Sequence, residues 1–116
     1  MVAKGRWVVL GHTDPDLKTI STFAPVLGKD GFFLVLQLLA TCRFELCLGD
    51  VSSAFMSGDQ YDRTEGPLFA ELPTAGIPEM KQKSLLCLNK AVYGLGDAPL
   101  KWFESVLKYC VMVLGF

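Results

Sequence analysis

One acidic residue lies where a predicted apolar strand ends and a tight turn of small residues begins, an arrangement that suits a divalent metal ion carrying phosphates. The segment 44–50 alternates, so one face of a predicted strand carries Phe44, Leu46, Leu48 and, at its end, Asp50. The turn over Val51–Met56 that follows has free backbone N–H groups. A carboxylate here suits Mg²⁺, and the amides suit phosphate oxygens. The alternative, which the residue types alone favour, is that Asp50 simply caps the turn.

The composition allows one domain and excludes several classes of protein. The chain has 116 residues, of which 51% are hydrophobic and 20% are charged, and its net charge is −1. This balance provides no overall field for nucleic acid. The longest apolar stretch, Phe32–Ala40, is interrupted by Gln37 and is too short to span a membrane. No signal peptide is visible at the Met1 end. The many apolar and few charged residues predict that some apolar surface meets a partner.

The cysteines do not indicate a metal site. The chain has one His and no CxxC pair among its four cysteines, so zinc binding is not expected. We interpret all four as free, buried apolar residues in a reducing compartment, namely Cys42, Cys47, Cys87 and Cys110.

Helical and strand patterns alternate along the chain, which predicts an α/β or α+β class. The predicted strands are Arg6–Leu10, Phe44–Asp50, Leu68–Leu72 and Ser84–Lys90. The segment Lys29–Cys42 is predicted to be a helix with Asp30 as its N-cap. Its apolar residues lie nearly all round, which implies burial on several sides.

The pattern at the end of the chain predicts a second long helix. Asp97 is the expected N-cap, Pro99 lies in the first turn, and Gly115 stops the helix. Glu104 and Lys108 form a favourable pair four residues apart. The glycines just before this helix, at positions 94 and 96, predict a bend.

Four motifs in one order resemble those of the reverse transcriptase domain of copia-type LTR retrotransposons. KGRWVVLG at 4–11 is similar to the family's K-A-R-L-V-x-x-G, and TFAPV at 22–26 to T-F-[SA]-P-V. GDVSSAFMSGD at 49–59 is similar to M-D-V-K-T-A-F-L-N-G-D. LNKAVYGLGDAPLKW at 88–102 is similar to L-x-K-[SA]-L-Y-G-L-K-Q-[AS]-P-R-x-W. Because these motifs span nearly the whole chain in order, they indicate common ancestry.

The resemblance implies a fold and a metal site. The fold would be the fingers and first part of the palm of a right-hand polymerase, a single partial domain over residues 1–116. Asp50 would be the first metal-binding carboxylate of the palm, and Val51 would lend its backbone carbonyl. Mg²⁺ is the implied cofactor.

The resemblance also implies a site for the incoming deoxynucleoside triphosphate. Phe55 would be the aromatic gate that excludes a ribonucleotide's 2′-OH. The basic side chains of Lys4 and Arg6, on the fingers strand, would reach the triphosphate. The backbone N–H groups of Ser53 and Ala54 would bind it, and the bend at Gly94 would let the backbone approach the nucleotide.

The sequence departs from the family pattern in ways that bear on activity. The family's remaining acids lie in a Tyr-x-Asp-Asp hairpin beyond the last helix, and no two Asp residues are adjacent in this chain. We therefore expect the catalytic hairpin and thumb to be absent and the chain alone to be inactive. Gly96 and Asp97 replace the family's Lys-Gln, and Leu100 replaces its Arg, changes typical of a decayed or divergent element.

Three functions remain open from the sequence. The first is a fragment of an RNA-directed DNA polymerase whose intact parent binds an RNA or DNA template-primer and deoxynucleoside triphosphates. The parent would act with the rest of its polyprotein, inside the cell, in the cytoplasm, nucleus or virus-like particle, with no role for a membrane and no secretion. The second is a non-enzymatic remnant that acts as a small α/β interaction module. The third is an unrelated metal- or phosphate-binding domain built on Asp50.

Overall fold

The chain folds as a mixed α and β structure, which confirms the predicted class. The computed structural model describes residues 5–61, 63 and 66–116. Within these residues it contains three α-helices and a two-stranded antiparallel sheet. In chain order the elements are a 3-10 turn at Gly11–Thr13, α1 at Lys29–Cys42, α2 at Ala54–Ser57, β1 at Leu68–Glu71, β2 at Leu85–Leu88, α3 at Ala98–Tyr109 and a π-helical turn at Cys110–Leu114.

The two strands form a hairpin and confirm two of the predicted strands, each slightly shorter than expected. Leu68 pairs with Leu88 at one end of the ladder, and Glu71 pairs with Leu85 at the other. Because side chains alternate across a strand, only one face of the hairpin turns inward. That face buries Ala70 and Leu88.

A small apolar core lies between the hairpin and the segment that leads into α3. Its buried hydrophobic members are Tyr61, Ala70, Leu88, Ala91, Leu95 and Ala98. Trp7, Val9 and Phe55 pack at its edge. Half of the buried set is alanine, so the core removes little apolar area from water.

The chain is more open than a compact protein of its size. Its accessible surface is 9830 Å², whereas a compact protein of this mass exposes about 6,200 Å². The radius of gyration is 18.2 Å, against about 13 Å for a compact chain of roughly 100 residues. Much apolar surface is therefore uncovered, as the composition predicted.

Helix α1 has the predicted bounds but not the predicted surroundings. None of its residues is buried, and no other described element packs against it. The burial prediction is therefore wrong: backbone hydrogen bonds form the helix locally, while burial needs a neighbour. The N-cap position is Gly28 rather than Asp30, which lies in the first turn, where its charge favours the helix dipole.

Two of the predicted strands are not strands in the described part of the chain. Residues 44–50 form no ladder and are all exposed, with Leu48 at 90%. Residues 6–10 form no ladder; besides local turn bonds, a backbone hydrogen bond from the Val9 N–H to the Tyr93 carbonyl, 2.9 Å long, joins them to a distant segment. An alternating pattern marks a strand only when a second strand supplies its hydrogen bonds.

Helix α3 begins and ends near the predicted residues. Asp97 occupies the N-cap position without a side-chain capping bond, Pro99 is in the first turn, and Gly115 adopts φ +74° after the π-helical turn. The predicted Glu104–Lys108 pair does not form. Instead Lys101 Nζ lies 3.0 Å from Glu104 and Lys108 Nζ lies 2.9 Å from Asp59.

The cysteine prediction is correct in one respect and wrong in another. All four are free, but Cys42, Cys47 and Cys87 are exposed and Cys110 is partly exposed. They lie on elements that the small core leaves uncovered, so burial as apolar residues does not occur.

The uncovered apolar surface predicts how the isolated chain behaves. We expect the 116-residue chain to bind a hydrophobic dye such as anilinonaphthalene sulfonate, or to self-associate. The reason is its exposed apolar surface, which includes the aromatic rings of Phe32 and Phe33. Phe32→Ser together with Phe33→Ser should lower the dye fluorescence. A monomer that melts cooperatively and binds no dye would contradict this expectation and indicate a complete domain.

Candidate functional site

The turn that follows Asp50 is built from small residues and opens α2. Ser53 takes the left-handed conformation (φ 54°) at the N-cap position, and α2 begins at Ala54. The Ser57 N–H donates to the Ser53 carbonyl over 3.0 Å, and the Ser57 hydroxyl lies 3.2 Å from the same oxygen. The backbone around Ser53 and Ala54 is therefore folded tightly, while their own N–H groups stand at a helix start, where the helix offers no acceptor.

Asp50 is an exposed residue before this turn and does not cap it. The N-cap position belongs to Ser53, and α2 has no side-chain cap. Asp50 and Val51 are both exposed. The capping interpretation of Asp50 is therefore wrong, and its carboxylate is available to a ligand.

An aromatic and cationic stack joins three distant parts of the chain. The Phe55 and Tyr93 ring centroids are 4.8 Å apart with the planes tilted by 60°. The Arg6 guanidinium carbon lies 4.6 Å from the centroid of the Tyr93 ring. Such a cation–π contact is favourable at this range. The structure thus brings Arg6 and Phe55, two of the sequence-predicted site residues, to one tyrosine.

A close approach of two backbone segments holds this tyrosine in place. Gly94 adopts φ +100°, and a Cβ there would collide with the carbonyl oxygen of Val9. A Cβ at Gly11 would collide in turn with the carbonyl oxygen of Gly94. Glycine is needed at both positions, because no other residue fits this conformation and spacing. The predicted bend at Gly94 is confirmed, and its close partner in this structure is the chain's own backbone.

The remaining predicted site residue, Lys4, lies outside the residues that the structure describes. The described residues also do not form a complete metal centre. Among residues 5–61, 63 and 66–116, no group of three or more His, Cys, Asp or Glu side chains is placed to hold a metal ion. Asp50 with the Val51 carbonyl could supply only part of a magnesium site.

A buried ionic cluster forms a second group of interacting side chains. The Arg63 guanidinium binds Asp14 through two bonds, from Nη1 to Oδ1 at 2.8 Å and from Nη2 to Oδ2 at 2.6 Å. Arg63 Nε donates to the Tyr61 hydroxyl over 2.7 Å, and that hydroxyl lies 2.6 Å from Asp97 Oδ2. Asp16 Oδ2 lies 3.2 Å from Nη1. The Arg63 side chain is 5% exposed and that of Asp14 is 2% exposed, so the pair is shielded from water.

The protonation states of the cluster follow from these contacts. The Arg63 hydrogen bonds lower the pKa of Asp14, outweighing the effect of burial. The bonds to Asp14 raise the pKa of Arg63. Burial, and next the hydrogen bond to Asp97, raise the pKa of the Tyr61 hydroxyl. At neutral pH the cluster therefore holds a charged Arg63–Asp14 pair beside a neutral phenol.

Sequence reasoning missed the two residues around which these groups assemble. Tyr93 lies within a motif, and its position beside a glycine was the only signal of its importance. Arg63 lies in a polar loop 49 residues from Asp14, and nothing local marks that pairing. Asp97 was expected as a helix cap, but its carboxylate faces Tyr61 and Arg63 instead.

The chain is similar to known reverse transcriptases along its whole length. Residues 1–116 match the sequence model of the family described as reverse transcriptase (RNA-dependent DNA polymerase). The Retrovirus-related Pol polyprotein from transposon TNT 1-94 of Nicotiana tabacum is 34% identical over 110 residues, which cover 90% of this chain and 8% of the relative. The corresponding polyproteins from transposons RE1 and RE2 of Arabidopsis thaliana are 28% and 27% identical over 114 residues, which cover 97% of this chain and 7% and 8% of the relatives.

The chain corresponds to only a small part of each of these polyproteins. The chain spans less than a tenth of the length of these curated relatives. No solved structure matches it. In the part of the chain that the structure describes, no helix has the length and apolar character needed to cross a membrane.

The lowered pKa of Asp14 predicts how the cluster responds to acid. Since the folded pKa lies below the ordinary value of 3.8, the stabilisation is complete above pH 3.8 and is lost as pH falls through the folded pKa. We expect amide hydrogen exchange at Tyr61, whose N–H donates to the Asn89 carbonyl over 2.7 Å, to lose protection only in that acid range. Asp14→Asn should weaken protection already at neutral pH. Equal protection of the Tyr61 amide at neutral pH in the native chain and in Asp14→Asn would show that the Arg63–Asp14 pair does not stabilise this region.

Proposed function

The chain belongs to the reverse transcriptase (RNA-dependent DNA polymerase) family, and on that premise we propose that it forms the fingers and first part of the palm of an RNA-directed DNA polymerase. The observation that carries the proposal is the stack of Arg6, Tyr93 and Phe55. In this stack a cation and an aromatic ring lie together, beside the turn that follows an exposed carboxylate, which supports the proposal. These are the groups that must meet the triphosphate, the sugar and the metal of one nucleotide.

Arg6 binds the triphosphate of the incoming nucleotide in this proposal. It is exposed, and a guanidinium that lies on a ring keeps its N–H edges free for phosphate oxygens. Lys4 adds a second cation from the same segment. The backbone N–H groups of Ser53 and Ala54 supply donors at the start of α2. Gly94 allows the close backbone approach at the bend.

Phe55 sets the choice of sugar in this proposal. Its ring is partly buried at the edge of the core and packs on Tyr93. A ring held on one side by such a contact cannot move away from an added hydroxyl. A ribonucleotide's 2′-OH would therefore meet the ring, whereas a deoxynucleotide would fit.

Asp50 and the Val51 carbonyl contribute the first part of a magnesium site. The described residues alone do not complete it, and in this proposal the remaining carboxylates are supplied by another part of a longer polypeptide. When bound, divalent ions stabilise the attacking and leaving oxygens of nucleotidyl transfer. Asp50 suits this role because its side chain is exposed before the turn that leads to Phe55.

The proposal treats these residues as a partial domain of a larger protein. Curated relatives are Pol polyproteins of which the chain covers 7–8%. The rest of the polyprotein, a template-primer and deoxynucleoside triphosphates are the proposed partners, and an intracellular particle of the element is the proposed location. The 116 residues alone are expected not to extend a primer.

The uncovered apolar surface favours a second candidate function. A remnant of such a polymerase that no longer works as an enzyme would act through that surface as a small interaction module. Its support is that no residue of α1 is buried. The two candidates differ in whether a longer polypeptide containing this chain polymerises.

Asp50→Asn should abolish primer extension in the longer polypeptide that contains this chain. The substitution removes one anion from the metal site while preserving side-chain size. The measurement is incorporation of a deoxynucleotide into a primed RNA template. Asp30→Asn, an exposed substitution in the first turn of α1, is the matched control and should retain activity. Full extension by the Asp50 variant would remove this carboxylate from the mechanism.

Phe55→Ala should admit ribonucleotides in the same polypeptide. Loss of the ring opens the space that a 2′-OH needs, so the ratio of kcat/KM for deoxy- over ribonucleotide should fall by a factor of ten or more, roughly the effect of one removed aromatic contact. Phe69→Ala, on the exposed face of β1, serves as the control. An unchanged ratio would show that Phe55 only packs.

A further inference from the structure

We propose that Tyr93 is the positioning residue of the nucleotide site, because one ring fixes both the gate Phe55 and the cation Arg6. The inference rests on the proposed function and adds a residue to it. Tyr93 touches no substrate in this proposal. It acts through the two side chains that lie on it.

The contact with Phe55 fixes the gate from one side. Ring centroids 4.8 Å apart and planes inclined by 60° are within the favoured geometry of aromatic pairs. Phe55 lies on α2, a helix of four residues, which is too short to hold a side chain by itself. The Tyr93 ring therefore supplies the rigidity that a steric gate needs.

The contact with Arg6 orients the cation. Arginine is flexible, and holding it in one position costs side-chain entropy. Stacking of its guanidinium 4.6 Å from the Tyr93 centroid meets that cost before a nucleotide binds. The contact uses the face of the ring and leaves the guanidinium N–H groups as donors for phosphate oxygens.

Tyr93 itself is anchored by backbone rather than by its hydroxyl. Its carbonyl accepts the Val9 N–H over 2.9 Å, and the following Gly94 adopts a conformation that only glycine holds easily. Both functional contacts are made by the ring. Removing the hydroxyl alone should therefore change little, whereas removing the ring should release both partners.

The test compares Tyr93→Phe, Tyr93→Leu and Tyr93→Ala in the longer polymerase polypeptide, with Tyr109→Ala on the exposed side of α3 as control. KM for deoxynucleotide and the kcat/KM ratio of deoxy- over ribonucleotide are measured. Tyr93→Leu and Tyr93→Ala should raise KM and lower the ratio about tenfold, the scale of one lost ring contact. Tyr93→Phe and the control should match the native protein. Tyr93→Ala added to Phe55→Ala should lower the ratio no further.

A spectroscopic measurement on the 116-residue chain accompanies these kinetics. Nuclear Overhauser contacts between Phe55 and Tyr93, and a ring-current shift of the Arg6 Hδ protons, should be present in the native chain and in Tyr93→Phe. They should be lost in Tyr93→Leu. Their absence from the native chain would overturn the inference.

The kinetic outcomes separate this inference from the proposed function. If both Tyr93→Leu and Tyr93→Ala keep the native KM and ratio while Phe55→Ala admits ribonucleotides, the inference is wrong and the proposed gate stands. If Phe55→Ala also changes nothing, the gate itself is wrong. A native polypeptide that extends no primer overturns the proposed function and this inference with it.

Discussion

The buried guanidinium of Arg63 joins three stretches of chain that are far apart in sequence. It binds Asp14 by two hydrogen bonds, donates from Nε to the Tyr61 hydroxyl and faces Asp97. Removing one partner from such a buried pair costs about 3–5 kcal/mol, because the other charge is left uncompensated. Since the apolar core is small and rich in alanine, this cluster carries much of the order in the molecule. Asp97 closes the bend that begins at Tyr93, so the cluster and the stack of Arg6, Tyr93 and Phe55 share one short segment of backbone.

The elements that sequence could predict are those whose signals are local. Periodicity predicts the bounds of α1 and the two strands of the hairpin. A glycine that accepts a left-handed conformation predicts the end at Gly115 of the π-helical turn after α3. The segment 44–50 shows the limit of this reasoning. Its alternation describes which side chains would share a face, but a strand also needs a neighbour, and none of the described residues pairs with it. Helix α1 forms because its backbone hydrogen bonds are local, and it is exposed because no other described element packs against it.

The candidate site divides in the same way. The family resemblance singled out Arg6 and Phe55, and the structure brings both onto one ring, although their separation in sequence gives no physical reason to expect this. Tyr93 was not singled out, because its role depends on what packs on it and not on its own type. The Arg63–Asp14 pair was invisible for the same reason: two charged residues in loops are usually solvated, and only burial makes them structural.

The position of Asp97 changes how one departure from the family pattern is understood. The family pattern that the sequence resembles has a glutamine at this position, and a carboxylate in its place would repel phosphate if it faced solvent. Here its side chain is 4% exposed and accepts the Tyr61 hydroxyl, with Arg63 Nη2 3.5 Å away. The Asp97 carboxylate is thus neutralised inside the protein by the Arg63 guanidinium and hydrogen-bonded by the Tyr61 hydroxyl. We therefore expect a carboxylate at position 97 to need a buried arginine and a hydrogen-bond donor beside it, because a buried charge is costly unless it is paired.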